Sequence, residues 1–98
     1  MMKMNNKYYI VRGDRSGVFF GKIEKRDGRE VQMRDVRRLW YWRGATECCQ
    51  LAAEGVKYAK NCKFTMFVDE LTILDAIEIH PCSNAAIASI SGVQAWKM

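Results

Sequence analysis

The sequence predicts an α+β fold: an antiparallel sheet of about five or six strands with two helices packed against it. Three observations lead there. Segments rich in β-branched and aromatic residues, or alternating apolar with polar, fill much of the first 43 positions, clusters of turn residues interrupt them, and two later segments carry helix-capping signals. The 98 residues suit one domain. It divides into a basic β-rich half over 6–43, a helix over 46–54, strands within 63–80 and a C-terminal helix over 83–91.

"KYYIVRG" is rich in β-branched and aromatic residues and reads as the first strand, with "GDRSG" as its turn. "GVFFGKIEK" is the second, Val18 and Phe20 on one face and Phe19 and Ile23 on the other. Asp27-Gly28 predicts a type I′ hairpin, in which both central residues need positive φ. "REVQMRD" then alternates, Val31 and Met33 inward and Glu30, Gln32 and Arg34 outward, completing a three-stranded meander.

"RRLWYWRGA" fits a fourth strand. Period two puts Val36, Arg38, Trp40 and Trp42 on one face and Arg37, Leu39, Tyr41 and Arg43 on the other. Each face mixes aromatic surface with guanidinium, the pairing that stacks on a base and grips a phosphate. The competing expectation is a core role for Leu39 and Trp40, with the arginines snorkelling outward; Trp40 is the aromatic most readily assigned to the core.

Gly44 and Ala45 end that strand, and "ATECCQLAAEGV" turns helical. Thr46 is the expected N-cap, Glu47 suits the first turn, Cys48, Leu51 and Ala52 form the apolar stripe, and Gly55 ends the helix. "VKYAKNCK" reads as a loop. "KFTMFVDE" and "LTILDAIEIHP" read as two strands, with Asp69-Glu70 solvated at the turn between them and Pro81 as the stop. Ser83 caps "NAAIASIS", whose Ile87 and Ile90 face inward. The tail carries Trp96, apolar enough to dock on a neighbour.

Charge is distributed unevenly. Residues 1–43 carry net +7 and residues 44–98 net −2, and all eight arginines lie between Arg12 and Arg43. Arginine outranks lysine where phosphate or carboxylate is bound by a planar fork, so the first half is the candidate anion-binding face. The alternative is a solvated basic face that only keeps the chain soluble. No apolar run reaches the ~18 residues of a membrane span. The N-terminal stretch lacks an apolar secretory core, which predicts a cytoplasmic protein.

Catalytic patterns are not found. Cys48, Cys49, Cys62 and Cys82 show no CxxC spacing and the chain has one histidine, His80, so free thiols are expected and a metal site is not. Cys82 lies close to His80 in sequence, but Pro81 between them opposes a productive nucleophile–base geometry. No phosphate-binding glycine loop or zinc-protease motif occurs. The residues support binding, with no cofactor and no enzymatic step.

The run "GVFFGKI", "REVQMRDVRRLWYWRGA", "QLAAEGV", "NCKF" and "AIEIHPCS" resembles a family of small phage and prophage proteins, the Thoeris anti-defence proteins that act as signal-sequestering sponges. The resemblance covers roughly residues 8–90, and R-R-L-W-x-W-x-G-A followed by Q-L-A-x-x-G is its most distinctive part. It implies a non-enzymatic protein that binds cyclic ADP-ribose isomers, such as glycocyclic ADP-ribose, in the host cytoplasm. It also implies homo-oligomers, dimers or hexamers with pockets between subunits, and binding of cyclic di- or trinucleotides at a second kind of pocket. On this reading Arg38 or Arg43 meets the pyrophosphate and Trp40 or Trp42 stacks on the base. Asn61 bonds a base or ribose, and Arg15, Ser16 and Lys22 form a basic rim or the second pocket. Two other readings of the residues remain: a module for single-stranded nucleic acid, and an inhibitor of a host protein that uses its Arg/Trp surface.

Overall fold

The computed structural model describes residues 7–45 and 47–96. Its elements are β1 (Tyr9–Gly13), β2 (Val18–Asp27), β3 (Glu30–Tyr41), α1 (Cys48–Glu54), β4 (Lys63–Phe64), β5 (Val68–Ile73), β6 (Ala76–Pro81) and α2 (Asn84–Ser91). The α+β expectation holds: six antiparallel strands and two α-helices. No helix among the described residues is long and apolar enough to cross a membrane.

β1, β2 and β3 form the meander. β6 pairs with β1 at one side, while β5 and β4 line up along the far side of β3. Only Leu74 and Asp75 join β5 to β6. In a flat sheet those strands would lie about 19 Å apart, four spacings of ~4.8 Å. The connection reaches at most about 11 Å. The sheet must therefore curl. Asp75 sits where its edges approach: the Asp14 amide donates to the Asp75 carbonyl at 2.8 Å, and the Ala76 amide donates to the Arg29 carbonyl at 3.0 Å.

Curling separates two apolar clusters. Val11, Phe19, Val31, Met33, Val36, Ile73 and Ala76, drawn from all five long strands, fill the inside of the curl. Ile10, Phe20, Leu39 and Phe64 cover the other face and receive Cys48, Leu51 and Ala52 of α1 and Ala86 and Ile90 of α2. This is the alternation expected for β2, with Phe19 and Phe20 on opposite faces. Ser83 caps α2, accepting from the Ala86 amide at 3.0 Å. Gly55 has φ 78°, and a Cβ there would stand 2.6 Å from the Ser89 side chain, so glycine permits the close approach of α1 to α2.

Several local expectations are corrected. The hairpin after β2 has Gly28-Arg29 as its loop, with Asp27 paired to Glu30, and only Gly28 has positive φ. That suits a turn with glycine at the first central position rather than type I′. "RRLWYW" is no separate strand. As far as Tyr41 it continues β3, which crosses a bulge where Asp35 takes φ 50° and the register slips opposite Gly21. The later strands divide elsewhere as well. Asp69 and Glu70 lie inside β5, and the turn falls at Leu74-Asp75, where the Asp75 carboxylate can receive the β1–β2 turn. Thr46 lies outside the described residues; Glu47 caps α1, its carboxylate accepting from the Cys49 amide at 3.2 Å.

Candidate functional site

The end of β3 carries Trp40 outward, and three pieces of chain gather there. β4 pairs with β3 through Leu39–Phe64 and Tyr41–Lys63, which sets Lys63 beside Trp40. After α2 the chain returns along β4: Ala95 forms a parallel bridge with Phe64, and the Trp96 amide donates to the Phe64 carbonyl at 2.8 Å. Trp96 is thereby laid on Trp40, ring centroids 4.9 Å apart and planes 14° from parallel. Lys63 Nζ lies 5.6 Å from the Trp40 ring and 5.3 Å from the Trp96 ring. Trp40 stays 57% exposed, contrary to the core role expected first for it.

Beside the stack is a recess of about 300 Å³ lined by Tyr41, Arg43, Lys60, Asn61, Cys62, Lys63 and Trp96. A second hollow of about 420 Å³ adjoins it through Lys60 and Trp96. No acidic residue lines either one. Arg43, Lys60 and Lys63 make no ion pair among the described residues. Three cations without an ion-pair partner among the described residues, beside the exposed Trp40 and the half-buried Trp96, suit a ligand that is flat, aromatic and anionic.

Arg15, Ser16 and Arg38 assemble elsewhere, at an open groove of about 550 Å³ with Phe19 and the Leu71–Asp75 segment. The Arg38 guanidinium lies 4.8 Å from the Phe19 ring centre. Asp75 organises the opposite wall. Its carboxylate accepts from Ser16 Oγ at 2.6 Å, from the Arg15 amide at 2.8 Å and from the Ser16 amide at 3.1 Å. The Ser16 hydroxyl is thus committed to the turn. These donors, the hydroxyl first, hold the Asp75 carboxyl below its ordinary range.

Lys22 and Trp42 join neither place. Lys22 Nζ lies 5.5 Å from the centre of the Tyr8 ring, and Tyr8 itself stacks on Phe20. Trp42, beyond the end of β3, leaves the face shared by Arg38 and Trp40 and packs against the helix-side core. Arg37 departs from the expected outward snorkelling. It is 2% exposed, donates from Nε to the Thr65 carbonyl and from Nη1 to the Ile90 and Val93 carbonyls, all at 2.9 Å, and lies over Phe67. Burial lowers its pKa.

Of the eight residues expected to bind ligand, Trp40, Arg43 and Asn61 therefore share one surface, and Arg15, Ser16 and Arg38 another. Sequence reasoning missed Lys60, Lys63 and Trp96 as members of the first. Lys60 and Lys63 flank Asn61 closely in sequence, a usable signal, but nothing local announces that Trp96 returns to Trp40. All four cysteines are free, and no group of metal-ligating residues gathers among the described ones.

No curated protein and no solved structure matches the chain. A family model described as a domain of unknown function matches residues 6–90, a span that holds both surfaces except Trp96 and Gly92–Ala95. With that much of its length matched, the chain belongs to the DUF6948 family.

Proposed function

We propose that the protein binds a nucleotide of the cyclic ADP-ribose class at the Trp40–Trp96 surface and holds it without turnover. The carrying observation is the stacked indole pair, Trp40 exposed and Trp96 half-buried, with Lys63 over both rings and Arg43 and Lys60 beside it without an ion pair among the described residues. A cyclic ADP-ribose isomer has a purine face next to two phosphate charges. Extending the indole stack with the purine leaves the phosphates among the three cations, and Asn61 at the rim can bond a ribose or base edge. Storage of such a ligand asks for no acid, base or nucleophile.

The surface is open in a single chain, so tight retention calls for a cover, which a second copy in a homo-oligomer supplies. The Arg15–Arg38 groove is the place for a larger cyclic di- or trinucleotide. In the cytoplasm of an infected host this binding removes a Thoeris immune signal before its effector responds, as the resemblance implies.

Calorimetric titration with glycocyclic ADP-ribose, with linear ADP-ribose as control, tests the reading. Tight binding of the cyclic form is expected, with intact ligand recovered after heat denaturation. Trp40→Ala should weaken it about tenfold or more, in line with the loss of one base–aromatic stack. Absence of binding to any cyclic nucleotide overturns the proposal. Salt-sensitive binding to long oligonucleotides would then favour the single-strand reading, for which an uncovered Trp–Lys surface is equally suited.

A further inference from the structure

β6 runs antiparallel to β1 at the side of the sheet, and its alternation places Glu78 and His80 on one face. They meet: His80 Nε2 lies 2.8 Å from Glu78 Oε1. Arg12, opposite Glu78 on β1, adds a longer ion pair at 3.5 Å. Helix α1 packs across the same strands and brings Cys49 in, its Sγ 3.9 Å from His80 Nδ1. The two imidazole nitrogens are thus divided between a carboxylate and a thiol. When Nε2–H donates to Glu78, Nδ1 offers its lone pair to the Cys49 thiol. That is the order nucleophile, base, orienter.

The surroundings set the chemistry. Cys49 is exposed, whereas Cys48, Cys62 and Cys82 are buried. Desolvation, then the charge of Glu47 and its hydrogen bond, then Glu78, push the Cys49 thiol up, which favours its protonated form and makes help from a neighbouring base count. The hydrogen bond from His80 holds Glu78 below its ordinary range, which keeps the orienting carboxylate ionised. Acyl transfer is poorly served, because the Cys49 amide that could stabilise an oxyanion donates to Glu47 instead. Thiol–disulfide exchange develops no oxyanion and needs only a thiolate and access.

We propose that Cys49 is a base-assisted nucleophile, with His80 as base and Glu78 as its positioning residue, that forms mixed disulfides with small neutral or cationic disulfides. His80 Nδ1 takes the thiol proton as Sγ attacks one sulfur of the disulfide. The new S–S bond forms as the old one breaks, and the departing thiolate leaves as a thiol with that proton. One half of the disulfide is reduced while Cys49 is oxidised. Glu47 and Glu78 beside the sulfur select against anionic disulfides, and Arg12 is already engaged with Glu78. None of these residues lines the Trp40 surface, so the two proposals stand or fall separately.

The test uses the whole protein with cystamine (cationic), hydroxyethyl disulfide (neutral) and oxidised glutathione (anionic), read by intact mass and peptide mapping across pH. Expected are a single adduct at Cys49, fastest with cystamine and slowest with glutathione, and a rate that rises with imidazole deprotonation. His80→Gln should lower the rate near neutral pH about a hundredfold, the low end for a general base, and move the rise to the higher pH of thiol ionisation. Glu78→Gln should shift the profile in the same direction by less. An unchanged rate and profile in a folded His80→Gln protein overturns the proposal. If that variant fails to fold, the native protein decides: a profile that tracks thiol ionisation alone, or equal modification of the buried cysteines, overturns it as well.

Discussion

The Arg37 guanidinium donates to the Val93 carbonyl at 2.9 Å, just past the end of α2, and the same nitrogen donates to Ile90 at the same distance. With Nε on the Thr65 carbonyl, one buried arginine ties β3, the link that follows β4 and the C-terminal end of α2 together. Its charge meets carbonyl dipoles rather than a carboxylate, including those at the negative end of a helix. Arg37→Met removes all three bonds, leaving the Ile90 carbonyl only the backbone amides that follow it and taking the guanidinium from the Thr65 and Val93 carbonyls. It should cost roughly 3 kcal/mol, within the range for buried bonds to a charged donor. Arg37→Lys should recover only part, because an ammonium cannot reproduce the planar fork. Urea unfolding of both variants checks this. Near-ultraviolet dichroism should also weaken, since Trp96 lies only a short way beyond the tethered Val93.

A second prediction concerns acid. Asp75 joins the β5–β6 turn to the β1–β2 turn through Ser16 and Arg15, and Gly13 lies so close that a Cβ there would meet Ser16 Oγ at 1.9 Å. Its folded pKa is lowered from 3.8, first by the Ser16 hydroxyl and then by the Arg15 amide. The unfolded chain therefore binds the proton more readily. The contribution is complete above the ordinary carboxylate pKa and fades as pH falls through the lower folded value. Asp75→Asn should melt at a lower temperature at neutral pH and lose this part of the acid dependence. Melting curves from neutral to strongly acid pH give both results.

Those two residues show what the sequence makes legible. Arg37 belongs to a string that reads as strand, and the strand is there, yet alternation cannot say that its face lies under the end of a distant helix. Asp75 sits in an apolar run with no glycine to mark a turn, and only the partner loop from β1 makes it one. Local patterns found the meander, the α1 stripe and the Ser83 cap because alternation, helical spacing and capping are decided within a few residues. They also singled out Trp40 and Arg43, which the fold brings to one surface. They could not pair Trp40 with Trp96 or Cys49 with His80, contacts made only when the sheet curls and its helices settle. The bulge at Asp35 falls between these cases, since Gly21 opposite it is a visible break in β2, although the residue that takes positive φ is not glycine.

That bulge carries the last prediction. Asp35 at φ 50° aims its carboxylate at Tyr8, whose hydroxyl donates to Oδ2, while the Tyr8 ring stacks on Phe20 with centroids 4.9 Å apart. Asp is among the few residues other than glycine that accept this backbone region, and Gly21 leaves room for it: a Cβ at position 21 would stand 2.7 Å from Val36 Cβ. Burial, then the bond to Asp35 and its charge, push the phenol from 10.0 to about 12. A raised folded pKa keeps the proton on the native state, so the contribution is whole below the unfolded value and is lost as pH climbs from 10.0 toward about 12. Phenolate absorbance followed on alkaline titration should show one tyrosine ionising late, and Tyr8→Phe should abolish that late step. Asp35→Asn is the sharper variant, because Asn tolerates the same backbone conformation but carries no charge. It should bring the Tyr8 titration part of the way back toward 10.0, the remainder being held by burial, the larger cause. A late step unchanged in Asp35→Asn would mean that packing on Phe20, and not the bulge, keeps Tyr8 protonated.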